Sequence, residues 1–232
     1  INMINKMYIF LYMRIQEILS KHEFSLYGLK HIYYNFSKSD TLFISFAGAL
    51  PRYVSSTWFY KEKDYYHCLF LKNDPNYNSY NDDKYRKIIM HYVNKFKIKK
   101  FITYGPSMGG IASIYWGLKL NNENLKLLGV VSIDLRVINF DKNIVLDLIK
   151  KMNITPVIYL NYTFKDLENR IIDENINSII SEFQKKNCLL MLQPTESNKH
   201  LDFIPSKSYL KNLVKIIKIW KISNHFSFKA WF

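Results

Sequence analysis

Only two cysteines occur in the 232 residues, Cys68 and Cys188. Two distant thiols build no disulfide framework and lack the close spacing of a zinc site, so a reducing, cytoplasmic setting is expected. Glycine (seven) and proline (six) are scarce and form no linker. The chain therefore reads as one domain over residues 1–232, with an N-terminal helical or strand extension at 1–30 and an aromatic tail at 223–232. Long apolar runs are missing as well. The most apolar stretch near the start, Met7–Leu19, reaches Arg14 after seven residues and has no small-residue cleavage site. It is too short for a transmembrane span and poor as a signal peptide.

Arginine is the scarce charge. Five of the 33 basic residues are arginine (Arg14, Arg52, Arg86, Arg136, Arg170) and the other 28 are lysine, against 19 acidic residues, for a net charge of +14. Dedicated readers of phosphates and bases favour the guanidinium fork. Lysine is abundant here together with Asn, Ile, Tyr and Phe, which share AT-rich codons, so the excess is taken as compositional. No specific nucleic-acid partner is expected, since net charge speaks to solubility and non-specific contacts. With 48% apolar and 22% charged residues, the balance is that of a globular chain.

Short β-rich runs alternate with helical patterns. The runs are His31–Phe36, Thr41–Phe46, Tyr66–Leu71, Lys100–Tyr104, Leu127–Ile133, Pro156–Leu160 and Cys188–Leu192. Most are near-continuous apolar strings, as in strands covered on both faces. Segments 82–96, 108–120, 144–152, 167–183 and 208–222 carry apolar residues at helical spacing. The expected fold class is α/β: a three-layer sandwich with a mostly parallel sheet flanked by helices.

The sharpest signal is Gly105-Pro106-Ser107-Met108-Gly109, a G-x-S-x-G match between the apolar run Phe101–Tyr104 and the helical pattern that starts at Gly110. A nucleophile elbow needs this arrangement. The serine sits in a strained strand-to-helix turn, flanking glycines let other backbone come close, and the helix N-terminus aims free N–H groups at a developing oxyanion. The motif and the strand–helix order resemble the α/β-hydrolase superfamily, over roughly residues 31–222. In that superfamily the order along the chain is serine, acid, histidine.

The resemblance implies the partners of Ser107. Among the six histidines, only His200 follows the final strand in a polar loop, Gln193–His200, whereas His22, His31, His67, His91 and His225 lie elsewhere. His200 is therefore the expected base. Asp166, in the loop after Pro156–Leu160, is the expected acid; Asp134, which ends the preceding strand, and Glu168 are the alternatives. The oxyanion hole should combine the Met108 amide with one from the loop after Thr41–Phe46, where Ala47-Gly48 replaces the His-Gly of many lipases. Ala49 is the candidate donor there, with Gly48 next.

Between Ile133 and Pro156 there is room for one helix, so no large cap domain is expected and the site should be open. Aromatic and amide residues in Lys72–Tyr80 and at Arg52, Tyr53, Trp58, Phe59 and Tyr60 suit either sugar contacts or turn and core packing. Together with the elbow they look similar to α/β-hydrolase-like proteins of bacterial surface-polysaccharide loci. The implied activity is that of a serine esterase or acyl-transfer enzyme acting on a bulky, glycan-like ester. The alternatives are a capsular polysaccharide O-acetyltransferase with acyl-CoA as donor, and a non-catalytic assembly or secretion factor. No metal or other cofactor is expected. The helix at 208–222 places Leu210, Leu213, Val214, Ile217 and Trp220 on one stripe, read as packing on the sheet; peripheral contact with a membrane is the alternative.

Overall fold

The computed structural model describes residues 17, 19–35, 38–48, 67–72, 83–121, 123, 125–135, 141–163, 173–186, 188–195 and 207–222. They form an eight-stranded sheet in the order β1-β2-β4-β3-β5-β6-β7-β8. The strands are β1 (Phe24–Leu26), β2 (Leu29–Tyr34), β3 (Thr41–Phe46), β4 (His67–Leu71), β5 (Lys100–Pro106), β6 (Lys126–Ile133), β7 (Val157–Thr163) and β8 (Leu189–Thr195). β2 pairs antiparallel with both β1 and β4, and every other pairing is parallel.

The helices are α1 (Asp83–Phe96), α2 (Met108–Asn121), α3 (Lys142–Lys151), α4 (Glu174–Gln184) and α5 (Lys207–Ile222). Alternate residues of each strand face two separate cores. Leu42, Ile44, Phe101, Val130 and Ile158 pack with the apolar faces of α1 to α4. Phe43, Ile102, Val131 and Tyr159 pack on the other face with Leu213, Val214 and Ile217 of α5. Helices thus cover both faces, which is why β3 and β4 are buried at every position and read as unbroken apolar strings. α2 is buried nearly all round, the pattern of a helix at the centre of a fold. Between β6 and β7 the described residues hold α3 and no cap domain.

Two features differ from the sequence expectation. β1 was not anticipated; it forms a two-residue hairpin with β2 through Tyr27 (φ 54°) and Gly28 (φ 78°), the paired positive φ values of a type I′ turn. β7 runs on through Asn161, Tyr162 and Thr163, and β8 through Gln193, Pro194 and Thr195. Residues assigned to polar loops are therefore paired in the sheet, because Asn161↔Gln193 and Thr163↔Thr195 continue the parallel ladder. α5 agrees with its expectation: Leu213, Val214 and Ile217 of the stripe are buried against the sheet, and Ile216 and Ile219 are exposed on its outer side.

In the β2–β4 half of the sheet two histidines are buried neutral. His31 Nδ1–H donates to Leu29 O at 3.3 Å, so Nε2 accepts from the Tyr92 hydroxyl at 2.7 Å. His67 Nε2–H donates to Ser39 O at 2.9 Å, so Nδ1 accepts from the Tyr33 hydroxyl at 2.5 Å. Tyr33 stacks on Tyr92 with ring centroids 3.8 Å apart. Burial lowers both imidazole pKa values, with His91 adding repulsion at His31. The unfolded chain therefore takes up these protons first. Their stabilising contribution is intact above pH about 6.5 and declines as pH falls below that value, by up to about 1.4 kcal/mol per pH unit for each histidine. Urea midpoints should fall between pH 7.5 and 5.5, and His67→Gln should flatten that dependence.

Candidate active site

In a mostly parallel sheet, ligands bind beyond the carboxyl ends of the strands, where successive connections depart in opposite directions. Here that point lies between β3, whose chain continues to β4 on one side, and β5, whose chain continues to β6 on the other. Gly48 follows β3 and Ser107 follows β5, so both flank the crevice.

Ser107 adopts φ 55°, a left-handed conformation that a side chain ordinarily avoids. The surroundings hold it there. Its N–H donates to Ile133 O at 2.7 Å, and its own carbonyl accepts from Gly110 N–H at 2.9 Å in the first turn of α2. The turn is so tight that a Cβ on Gly105 would sit 2.0 Å from Gly109 O. A Cβ on Gly109 would lie 2.5 Å from Phe46 O and 2.7 Å from Ala47 O. The two glycines of the motif thus serve close backbone approach, one within the turn and the other against the end of β3.

That contact brings the post-β3 loop beside the serine: a Cβ built on Gly48 would stand 3.6 Å from Ser107 Cβ. Ala47 N–H donates to Leu71 O at 3.1 Å, which fixes the loop's departure from the sheet. Met108 opens α2 and is buried. The strand–turn–helix context expected for the motif is therefore present, with Gly48 adjacent. Ala49 lies outside the described residues, as do His200, Asp166 and Glu168. The cap is absent as expected among the described residues, yet Ser107 itself is only 3% exposed, so openness is not a property of the serine's own surface.

Asp134 is described, and it is the only one of the three candidate acids that is. It lies one residue beyond Ile133, whose carbonyl holds Ser107, and has φ 47° with 1% exposure. Its N–H donates to Asn161 Oδ1 at 2.9 Å, and the Thr163 hydroxyl faces its Oδ1 at 3.5 Å. Two left-handed non-glycine residues, Ser107 and Asp134, thus stand on neighbouring strand ends. Such outliers cluster at functional sites because the surrounding structure must over-determine them.

Sequence reasoning missed Asn161, Thr163 and Thr195 as parts of this rim. Asn161 is fully buried, its Nδ2 donating to Gln193 O at 3.0 Å and to Thr195 Oγ1 at 3.3 Å. The available signal was a polar residue interrupting the apolar string Val157–Tyr162. His31, His67 and His91, which competed for the base, lie in the β2–β4 half or on α1, the first two engaged as described above. Among the described residues no group of three or more histidine, cysteine or acidic side chains could hold a metal ion.

Two substitutions check the turn. Ser107→Gly should be more stable than Ser107→Ala by about 1 kcal/mol, because only glycine accepts this φ without strain. Denaturation midpoints of the two variants measure the difference, and equal midpoints would mean the turn relaxes. Gly109→Ala should lose about 3 kcal/mol or more, since its methyl meets two carbonyl oxygens that belong to backbone.

No protein-family model matches the chain, and no curated protein does either. Solved structures do. An esterase of Pyrococcus furiosus, Pf2001, is similar at 16% identity and TM-score 0.53, covering 86% of this chain and 90% of its own. The fluorophosphonate-binding serine hydrolase F (FphF) of Staphylococcus aureus is similar at 12% identity and TM-score 0.51, over 86% and 96% of the two chains. An arylesterase is similar at 14% identity and TM-score 0.53, over 91% of each. At this identity the likeness speaks to architecture, and with the strand order above it establishes that the chain has the α/β-hydrolase fold, with no large cap among the described residues.

Proposed function

We propose that the chain is a serine hydrolase of the esterase type that works through an acyl-enzyme on Ser107. The observation that carries this is the left-handed Ser107 at the carboxyl end of β5, held against Gly48 and the first turn of α2. The esterases and serine hydrolases among the structural neighbours support the same chemistry.

In this reading His200 takes the Ser107 proton as the hydroxyl oxygen attacks the acyl carbon. It then delivers that proton to the leaving alkoxide as the ester C–O bond breaks. Asp166 accepts the other imidazole N–H and stabilises the imidazolium. The Met108 amide and the Ala49 or Gly48 amide hold the oxyanion, each such donor contributing about 2.7–4 kcal/mol in the transition state. A second acceptor then attacks the acyl-enzyme: water in an esterase, a sugar hydroxyl in a polysaccharide O-acetyltransferase charged by acyl-CoA. Ser107, His200, the acid and the backbone amides supply the groups this chemistry uses, so the reading calls for no metal, and acyl-CoA enters only as the donor of the transferase alternative. A glycan ester remains the proposed substrate class; the lysine-rich surface suits an anionic acceptor.

A specific observation favours a second assignment of the acid. Asp134 is buried at the end of β6, on the strand beside the nucleophile, with its backbone directly joined to the residue that holds Ser107. Under that reading Asp134, and neither Asp166 nor Glu168, orients His200.

A fluorophosphonate probe tests the nucleophile. Wild type should label and Ser107→Ala should not; full labelling of the variant defeats the proposal. Asp166→Asn and Asp134→Asn then separate the acids, the true partner losing about 10⁴-fold in turnover of a short-chain p-nitrophenyl ester. Adding a glycan acceptor to that assay distinguishes transfer from hydrolysis.

A further inference from the structure

The carboxyl ends of β6, β7 and β8 are joined by one side chain. Asn161 is fully buried, and its three polar contacts allow only one orientation of the amide. Asp134 N–H can only donate, so the group facing it at 2.9 Å is Oδ1. Gln193 O can only accept, so the group facing it at 3.0 Å is Nδ2, which also reaches Thr195 Oγ1 at 3.3 Å. The backbone carbonyl of the same residue accepts from Leu135 N–H at 2.9 Å. Asn161 therefore holds two consecutive amides of the chain leaving β6, across the left-handed bend at Asp134, and ties that chain to β8.

Other residue types fail this task. An aspartate would turn a carboxylate toward the Gln193 carbonyl, a serine would be too short to bridge, and an alanine would leave buried donors and acceptors unpaired. The network continues outward. Thr195 Oγ1–H donates to Tyr162 O at 3.0 Å, and the Gln193 side chain accepts from the Tyr159 hydroxyl and, at 2.9 Å, from the Tyr209 hydroxyl of α5.

The bend that Asn161 fixes is the one whose preceding carbonyl, Ile133 O, anchors the Ser107 amide. The strands it ties, β7 and β8, are the ones whose following segments contain Asp166 and His200 in the sequence. We infer that Asn161 is a positioning residue for the proposed acyl-transfer site, holding the Asp134 bend at the end of β6 against the turn that carries Ser107. The inference rests on the serine-hydrolase reading above and adds to it a residue that touches neither substrate nor reacting atoms.

Its test compares Asn161→Ala with Thr195→Val, which removes one partner of Nδ2 and keeps the shape. Tyr33→Phe serves as a control, since it removes a part-buried hydrogen bond toward the opposite edge of the sheet. The readouts are the rate of fluorophosphonate labelling across pH and the kcat and KM for a p-nitrophenyl ester. Asn161→Ala should slow labelling and kcat about 10- to 100-fold with little change in KM, as expected for a misplaced catalytic group. The acid limb of the pH profile should move to lower pH, because a badly placed carboxylate no longer stabilises the imidazolium. Thr195→Val should show a smaller change of the same kind, and Tyr33→Phe neither change.

Wild-type labelling at Ser107 with both rim variants at the wild-type rate and an unmoved acid limb overturns the inference alone. The same losses in Tyr33→Phe also overturn it, since they would reflect general destabilisation. A wild-type chain that does not label overturns the serine-hydrolase reading and the inference with it.

Discussion

The constraint on which the crevice depends is backbone against backbone. The first turn of α2 rests on the carbonyls of Phe46 and Ala47 with no room for a single methyl at Gly109. This contact forces the chain between β5 and α2 into a turn short enough to leave Ser107 left-handed. It also draws the post-β3 loop to the same point. The strain at Ser107 persists because its amide is bound to Ile133 O and its carbonyl to Gly110 N–H, so relaxation would break both bonds.

The rim beyond β6 repeats the logic with polar side chains. A left-handed residue after a strand leaves amides that cannot continue the ladder, and a buried amide needs a partner. The side chain and carbonyl of Asn161 supply two. Its remaining donors reach β8, so one side chain links the three strand ends by hydrogen bonds. Steric closeness governs the β3–β5 side of the crevice and hydrogen bonding governs the β6–β8 side. The proposed site lies where the two meet.

The +14 charge plays no part in either device. Among the described lysines, Lys72 and Lys30 pair with Glu23, Lys100 with Asp40, and Lys87 with Asp83, contacts near the surface that contribute little each. No helix among the described residues is long and apolar enough to cross a membrane. The fold rests on the apolar strings and not on the lysines.

Local pattern was enough for the strands that are buried on both faces, such as β3 and β4, because continuous apolar runs have few other fates. It was enough for the turn at Ser107 too, since Gly105, Ser107 and Gly109 encode a conformation within five residues. The β1–β2 hairpin carried only a Tyr-Gly pair as a marker, easily lost in a tyrosine-rich chain. Asn161 and Thr195 looked like loop residues because a polar side chain in a strand is stable only when its partners are already in place. Those partners, Asp134, Gln193 and Thr195, lie 27 to 34 residues away along the chain. The residue types suited to chemistry are legible one by one in the sequence. Which of them share a rim, and which buried amide holds that rim together, follows only when parallel pairing brings distant strand ends side by side.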